Sequence, residues 1–285
     1  MKKAIISIGV AASVLPSVAE TAIIDFGETP SEAAINVTLD GSHGTITRGN
    51  DNWIIGVNGT ATFLGQDVTW SLTTVNKNHN GGFQTTDSNS QWNKPFDSEL
   101  LGSFAGETNM NDAIHMQTWG TDAAYMVLTL EGLQAGKYTM EVFGAFTGEG
   151  GISNVTLTNS GTASMDFNNW ITMGTENSDS QQWVSMGSCT QTSATVNVGA
   201  EGPSSESGVS KNSGYYLKSG DGAITVGEDG TFSFTITATQ KTGSEISWRA
   251  LTLGGVALTK SVPEPATATL SLLALAGLAA RRRRK

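Results

Sequence analysis

In "DVTWSLTTV", Val68, Trp70 and Leu72 alternate with Thr69, Ser71 and Thr73. A period of two marks a strand with one buried and one solvated face. The pattern returns in "GKYTMEVFGAF", with Tyr138, Met140 and Val142 on one face and Thr139, Glu141 and Phe143 on the other. In "TFSFTITATQ", Phe232, Phe234 and Ile236 oppose Ser233, Thr235 and Thr237. β-branched and aromatic side chains suit such a half-buried pleated surface. Away from the two ends, no stretch sustains the 3.6-residue apolar stripe of a major helix. Glycine, 34 of 285 residues, sits beside Asn, Asp or Ser in turn-forming runs such as "VNGT", "HNGG", "SGDG" and "EDGT". These features predict an all-β chain, a single β-sandwich of jelly-roll type over residues 20–260. No repeat of fixed period favours a propeller or solenoid, and no regular lipid-facing bands favour an outer-membrane barrel. The polar stretch "GAEGPSSESGVSKNSG" is expected to be a long loop inside the domain.

The two ends read differently. "MKKAIISIGVAASVLPSVAETA" begins with Lys2 and Lys3, continues apolar to about Leu15, and reaches small residues at Ser17 and Ala19. That is the layout of a helical secretory signal peptide over residues 1–19, cut before Glu20. At the other end, residues 262–285 read "VPEPATATLSLLALAGLAARRRRK". Pro263, Glu264 and Pro265 precede an uncharged run from Ala266 to Ala280, and Arg281, Arg282, Arg283, Arg284 and Lys285 follow it. As a helix that run is roughly 22 Å long, short against a hydrocarbon core of ~30 Å, so a transmembrane helix there needs local thinning or snorkelling arginines. The basic end suits a cytoplasmic stop.

This tail resembles the PEP-CTERM sorting signal: Pro263-Glu264-Pro265, a hydrophobic span, then an Arg-rich terminus. The resemblance implies an exported protein held by the inner membrane in passing. It implies processing near the tripeptide by exosortase, a membrane-embedded cysteine protease, and delivery to the cell surface or extracellular matrix. A second resemblance lies in the body. Gly132, Leu133, Gly136, Lys137 and Tyr138, with Trp248 to Gly255 far downstream, are similar to the paired strands of galactose-binding-like sandwich modules. It implies a hairpin before a strand, a last strand through "SWRALTLGG", and a leaning towards sugar binding.

Charge narrows the partners. Between Glu20 and Val262 there are 25 acidic and 9 basic residues, a balance of –16. Such a body repels nucleic acid and anionic headgroups. Cys189 is the single cysteine, so no internal disulfide forms; "MGSCTQ" is expected to be a strand or edge with a small buried thiol. His43, His79 and His115 lack metal-ligand spacing, and there is no nucleophile elbow or phosphate loop. Asp87, Asn89, Asp97 and Glu99 in "TTDSNSQWNKPFDSE" are oxygen ligands that would suit Ca2+, but equally they are ordinary turn formers, and no metal is assigned.

Tryptophan is the more informative residue. Trp70 and Trp248 alternate with core positions, whereas Trp92, Trp119 and Trp170 stand among polar turn residues. An exposed indole stacks on a pyranose while neighbouring amides and carboxylates bond its hydroxyls; the alternative is an indole capping the core, its N–H on a loop carbonyl. The expected function is that of a non-enzymatic, surface-sorted β-sandwich that binds polysaccharide. The alternatives are a secreted carbohydrate-active hydrolase or lyase using two carboxylates, and a purely structural adhesin.

Overall fold

The computed structural model describes residues 21–26, 35–37, 44–48, 54–63, 66–75, 83–86, 99–105, 113–119, 124–148, 154–175, 183–185, 187–198, 211–239 and 248–261. The predicted leader and the tail beyond Ser261 lie outside them, and no helix among the described residues is long and apolar enough to cross a membrane. Residues 20–261 form one compact unit.

The described residues are nearly all β, in two sheets, with strands numbered in chain order. Sheet A runs β13 (Trp183–Ser185), β12 (Ile171–Thr175), β16 (Lys211–Lys218), β9 (Gly136–Gly148), β20 (Gly255–Lys260), β1 (Thr21–Asp25), β2 (Ile35–Val37). On its flank β17 (Ile224–Val226) pairs with the start of β9 and with β11 (Ser164–Met165). Sheet B runs β14 (Gly187–Cys189), β15 (Ser193–Val196), β10 (Asn154–Asn159), β18 (Phe232–Thr239), β8 (Ala124–Glu131), β5 (Gln66–Val75), β4 (Ile54–Phe63), β6 (Phe83–Thr86), β7 (Ala113–Trp119), β19 (Trp248–Leu253). β3 (Gly44–Arg48) also pairs with β4. Every described pairing is antiparallel except β1 with β2.

The core lies between the sheets. From sheet B come Val68, Trp70 and Leu72 with Phe232, Phe234 and Ile236, all buried as their alternation requires. From sheet A come Tyr138, Met140, Val142, Tyr215, Leu217, Val256 and Leu258. Two aromatic contacts bridge the layers: Phe26 meets Trp70 edge-on at 5.6 Å, and Phe63 meets Tyr138 at 6.1 Å. Large apolar side chains buried this fully contribute about 1.5–3 kcal/mol each.

Two connections differ from expectation. Gly132 to Tyr138 does not close a hairpin, because β8 pairs with β5 and β18 in sheet B while β9 belongs to sheet A. The chain crosses between layers there. Gly132 takes φ +88, which an L side chain disfavours, and Leu133 donates its N–H to the Gly230 carbonyl. Likewise "SWRALTLGG" does not form the last strand: Trp248–Leu253 is β19, and a further strand, β20, begins at Gly255. β19 pairs with β7 in sheet B, the chain turns at Gly254, and β20 runs on between β9 and β1 in sheet A. Gly254 donates to the Phe143 carbonyl and accepts from Phe26, which satisfies the corner's backbone groups. The expected long loop also ends early, since Lys211–Gly214 already belongs to β16.

Candidate functional site

Each sheet has an outer face, and the two differ in chemistry. On sheet A the outward residues of β9 should be solvated, but Thr139, Glu141 and Phe143 are all buried. Their neighbours in register explain it. Glu141 lies between Ala257 and Lys218, and Phe143 between Gly255 and Tyr216, with Met173 beyond. A 3-10 helix, Glu99–Phe104, lays Leu101 and Phe104 over this face. Phe104 meets Phe143 at 5.7 Å and Tyr216 edge-on at 6.3 Å, and Trp183 meets Phe143 at 5.9 Å. A second, smaller apolar cluster therefore sits outside the main core.

Glu141 is the charged group beneath that cover, 5% exposed. Its Oε2 accepts from the Ser103 backbone N–H at 2.7 Å and from the Tyr216 hydroxyl at 3.0 Å. Its Oε1 accepts from the Ser103 hydroxyl at 3.1 Å and faces Lys218 Nζ at 3.5 Å. Three hydrogen bonds and one ion pair satisfy the carboxylate. Burial, then the Glu141 charge and its hydrogen bond, push the Tyr216 hydroxyl far above its usual range, so it stays a donor. Gly102 makes the approach possible. It takes φ 55, and a Cβ there would collide with the Glu141 carboxylate and the Tyr216 hydroxyl. As it stands, Glu141 is a clasp for the helix.

Sheet B presents the opposite chemistry. One cross-strand row reads Gly56, Thr73, Val127, Thr235, Thr158, Ser193. The rows beside it read Asn58, Ser71, Thr129, Ser233 and Tyr125, Thr237, Thr156, Thr195. Thr73 and Asn58 are exposed and Thr156, Thr158, Thr235 and Thr237 half-exposed. Hydroxyls pair across strands: Thr156 with Thr195 at 3.0 Å, Thr129 with Ser233 at 3.1 Å, and Ser160 with Ser233 at 3.0 Å. These three rows carry no charge; Asp67 and Glu131 stand at one end of the face. The face is mostly a lattice of hydroxyls and methyls.

The residues singled out in the sequence fall unevenly. Trp170 is buried, stacked on Phe167 at 5.1 Å, and donates its indole N–H to the Asp166 carbonyl at 2.7 Å. It takes the core-capping alternative and offers no open ring face. Trp119 ends β7 in register with Trp248. Trp92, Asp87, Asn89, Asp97, Pro263, Glu264, Pro265 and Arg281 to Arg284 lie outside the described residues; Glu99 opens the 3-10 helix. Among the described residues no three His, Cys, Asp or Glu side chains gather as a metal site. Cys189 is exposed on the edge strand β14 rather than buried, its thiol 3.9 Å from the Trp170 carbonyl. Sequence reasoning passed over Trp183. Its indole N–H, buried against the sheet, has no partner among the described residues. Gly214 makes room for its ring, since a Cβ there would lie 2.7 Å from it.

Comparison with known proteins places the tail. Residues 261–285 match the family model described as the PEP-CTERM protein-sorting motif. A chain with that motif is exported and sorted to the membrane or cell surface by exosortase. No curated protein matches the sequence. Among solved structures, the chain is similar to TmCBM61 in complex with β-1,4-galactotriose, at 14% identity and a TM-score of 0.30 over 67% of this chain and 88% of that one. It is also similar to the enzymatically active domain of tailspike protein 4 of bacteriophage CBA120. That match has 11% identity and a TM-score of 0.27, over 67% of this chain and 19% of that one. Likeness at these scores bears on neither ligand nor reaction.

Proposed function

We propose that the body is a non-enzymatic jelly-roll-type sandwich that binds neutral polysaccharide through the outer face of sheet B, and that its sorted tail delivers it to the envelope or extracellular matrix. The uncharged hydroxyl lattice carries this reading. Threonine sets a group that both donates and accepts beside a methyl, the two chemistries that a pyranose ring itself displays. Strands ~4.8 Å apart, with same-face residues roughly 6.8 Å apart along each, repeat the pattern regularly. A repeating polymer can engage many such weak contacts at once. The body's balance of –16 disfavours a polyanion. In this reading Trp92 and Trp119 are the stacking residues, and Trp170 serves the core.

Affinity gels cast with neutral and with acidic polysaccharides test the proposal on residues 20–261. Retardation on a neutral polymer is expected, and its loss when Thr73, Thr158 and Thr235 are each changed to Asp. Equal mobility of wild type and variant on every polymer removes the binding clause and leaves a structural adhesin. New reducing ends after incubation with glycans would remove the non-enzymatic clause instead.

A further inference from the structure

One row of the sheet B face differs from its neighbours in how its hydroxyls are used. In the rows to either side they are tied to one another. Ser233 bonds Thr129 at 3.1 Å and Ser160 at 3.0 Å, and Thr156 bonds Thr195 at 3.0 Å. In the row between, Thr73, Val127, Thr235 and Thr158 stand in register on the adjacent strands β5, β8, β18 and β10. Thr73 is exposed and the other three are half-exposed. The hydroxyls of Thr73, Thr235 and Thr158 make no hydrogen bond among the described residues. Beyond Thr158 the row continues to Ser193, whose hydroxyl is bonded to that of Thr190 at 2.8 Å, and beyond Thr73 it reaches Gly56, which has no side chain.

A sugar hydroxyl meets least competition where the protein's own donors and acceptors are not already committed to each other. The free hydroxyls therefore mark a line, and it runs across the strands rather than along one of them. Four strands abreast measure roughly 14 Å. An extended β-1,4-linked chain advances about one strand spacing per sugar, so four consecutive sugars match the four strands. The Val127 methyls then meet the apolar face of one ring. Neither Gly56 nor Ser193 brings charge or bulk to cap a chain end, which suits a mid-chain segment. Each strand of a sheet is rotated by about 20–25° from the last, a twist that a single chain can follow and a flat crystal face cannot. We propose that this row is a four-sugar subsite for the interior of one extended, neutral, β-1,4-linked chain lying perpendicular to the strands. The proposal rests on the polysaccharide-binding reading and adds the linkage, the direction and the length of what is bound.

The test is calorimetric titration of the full-length chain, in a detergent without sugar headgroups, with cello- and manno-oligosaccharides of two to eight units. Malto-oligosaccharides serve as the curled, α-linked contrast. Affinity for one of the β-1,4 series should climb from two units to four and level off between four and six. Thr73→Val and Thr158→Val keep the side-chain shape and sit at opposite ends of the line. Each should weaken the hexamer about two- to tenfold, the loss of one hydrogen bond, while Thr225→Val on β17 leaves it unchanged. A loss in one end variant alone, or in neither, would overturn the proposal, because no single chain would then cross all four strands. Affinity already complete at the disaccharide, or equal affinity for the malto-hexamer, would overturn it too. Retardation by a neutral polysaccharide in the affinity gels, with neither β-1,4 series bound, would overturn the proposal and leave the binding reading standing. Retardation by no polymer at all would sink that reading as well.

Discussion

The outer faces of sheets A and B differ in composition and end with opposite fates. On sheet B the outward residues are mostly Thr and Ser, most of them at least half-exposed, and their hydroxyls pair with one another. On sheet A the outward set mixes Thr139 and Glu141 with Ile23, Phe143, Met173, Tyr216 and Ala257. A short helix descends on that set, buries Phe143, Tyr216 and Met173, and leaves Glu141 a charge inside protein, met by four donors. The outer face of a strand thus becomes a second core when another segment brings donors for its charge. Otherwise it stays a surface, free to meet a partner.

Four expectations would break or sharpen that contrast. The largest concerns Glu141→Ala, which removes the acceptor of the buried Tyr216 hydroxyl and of the part-buried Ser103 N–H and hydroxyl, and the ion-pair partner of the part-exposed Lys218; it should cost about 2–4 kcal/mol in urea denaturation. A loss below ~1 kcal/mol would mean the clasp is slack. Gly102→Ala forces a Cβ into the carboxylate and the Tyr216 hydroxyl at a left-handed backbone position and should cost about 1–3 kcal/mol, with the loss reduced in a Glu141→Ala background because one of the two collision partners is gone. Third, alkaline titration should weaken sheet A. Burial pushes the Tyr138 hydroxyl up to about 12, and Tyr215 and Tyr216 higher still. A raised acid pKa in the fold stabilises it fully below the unfolded value of 10.0, and that contribution is lost as pH climbs through the folded values. A melting temperature flat from pH 9 to 12 would refute this. Smallest is Thr158→Val on sheet B, expected within about 0.5 kcal/mol of wild type. A cost comparable to that at Gly102 would show that the hydroxyl lattice is itself structural.

How far the chain could be read in advance follows the same division. β5 and β18 were legible because period-two alternation states which side of a strand is apolar, and Val68, Trp70, Leu72, Phe232, Phe234 and Ile236 are all buried. The fate of Glu141 was not. Its cover comes from residues 99–104, some forty positions away in sequence, and alternation says nothing about a second layer. Gly132 was expected in a hairpin and Gly254 within a strand, but both carry the chain between sheets, a distinction made only by long-range pairing. For the outer face of sheet B, β5 and β18 were visible alone, yet the uncharged rows exist only once β5, β8, β18, β10 and β15 are set side by side. Trp170 misled because polar neighbours in sequence do not exclude an aromatic partner in space, here Phe167.

The antiparallel contact between β1 and β20, with Thr21 opposite Thr259, also has a topological corollary. A short peptide would suffice to splice the body's two extremities into a circle, since they already lie one strand apart. New ends could then be opened at the exposed turn of Thr190 to Thr192 between β14 and β15, and the same sandwich should assemble from a chain whose order of synthesis has been rotated.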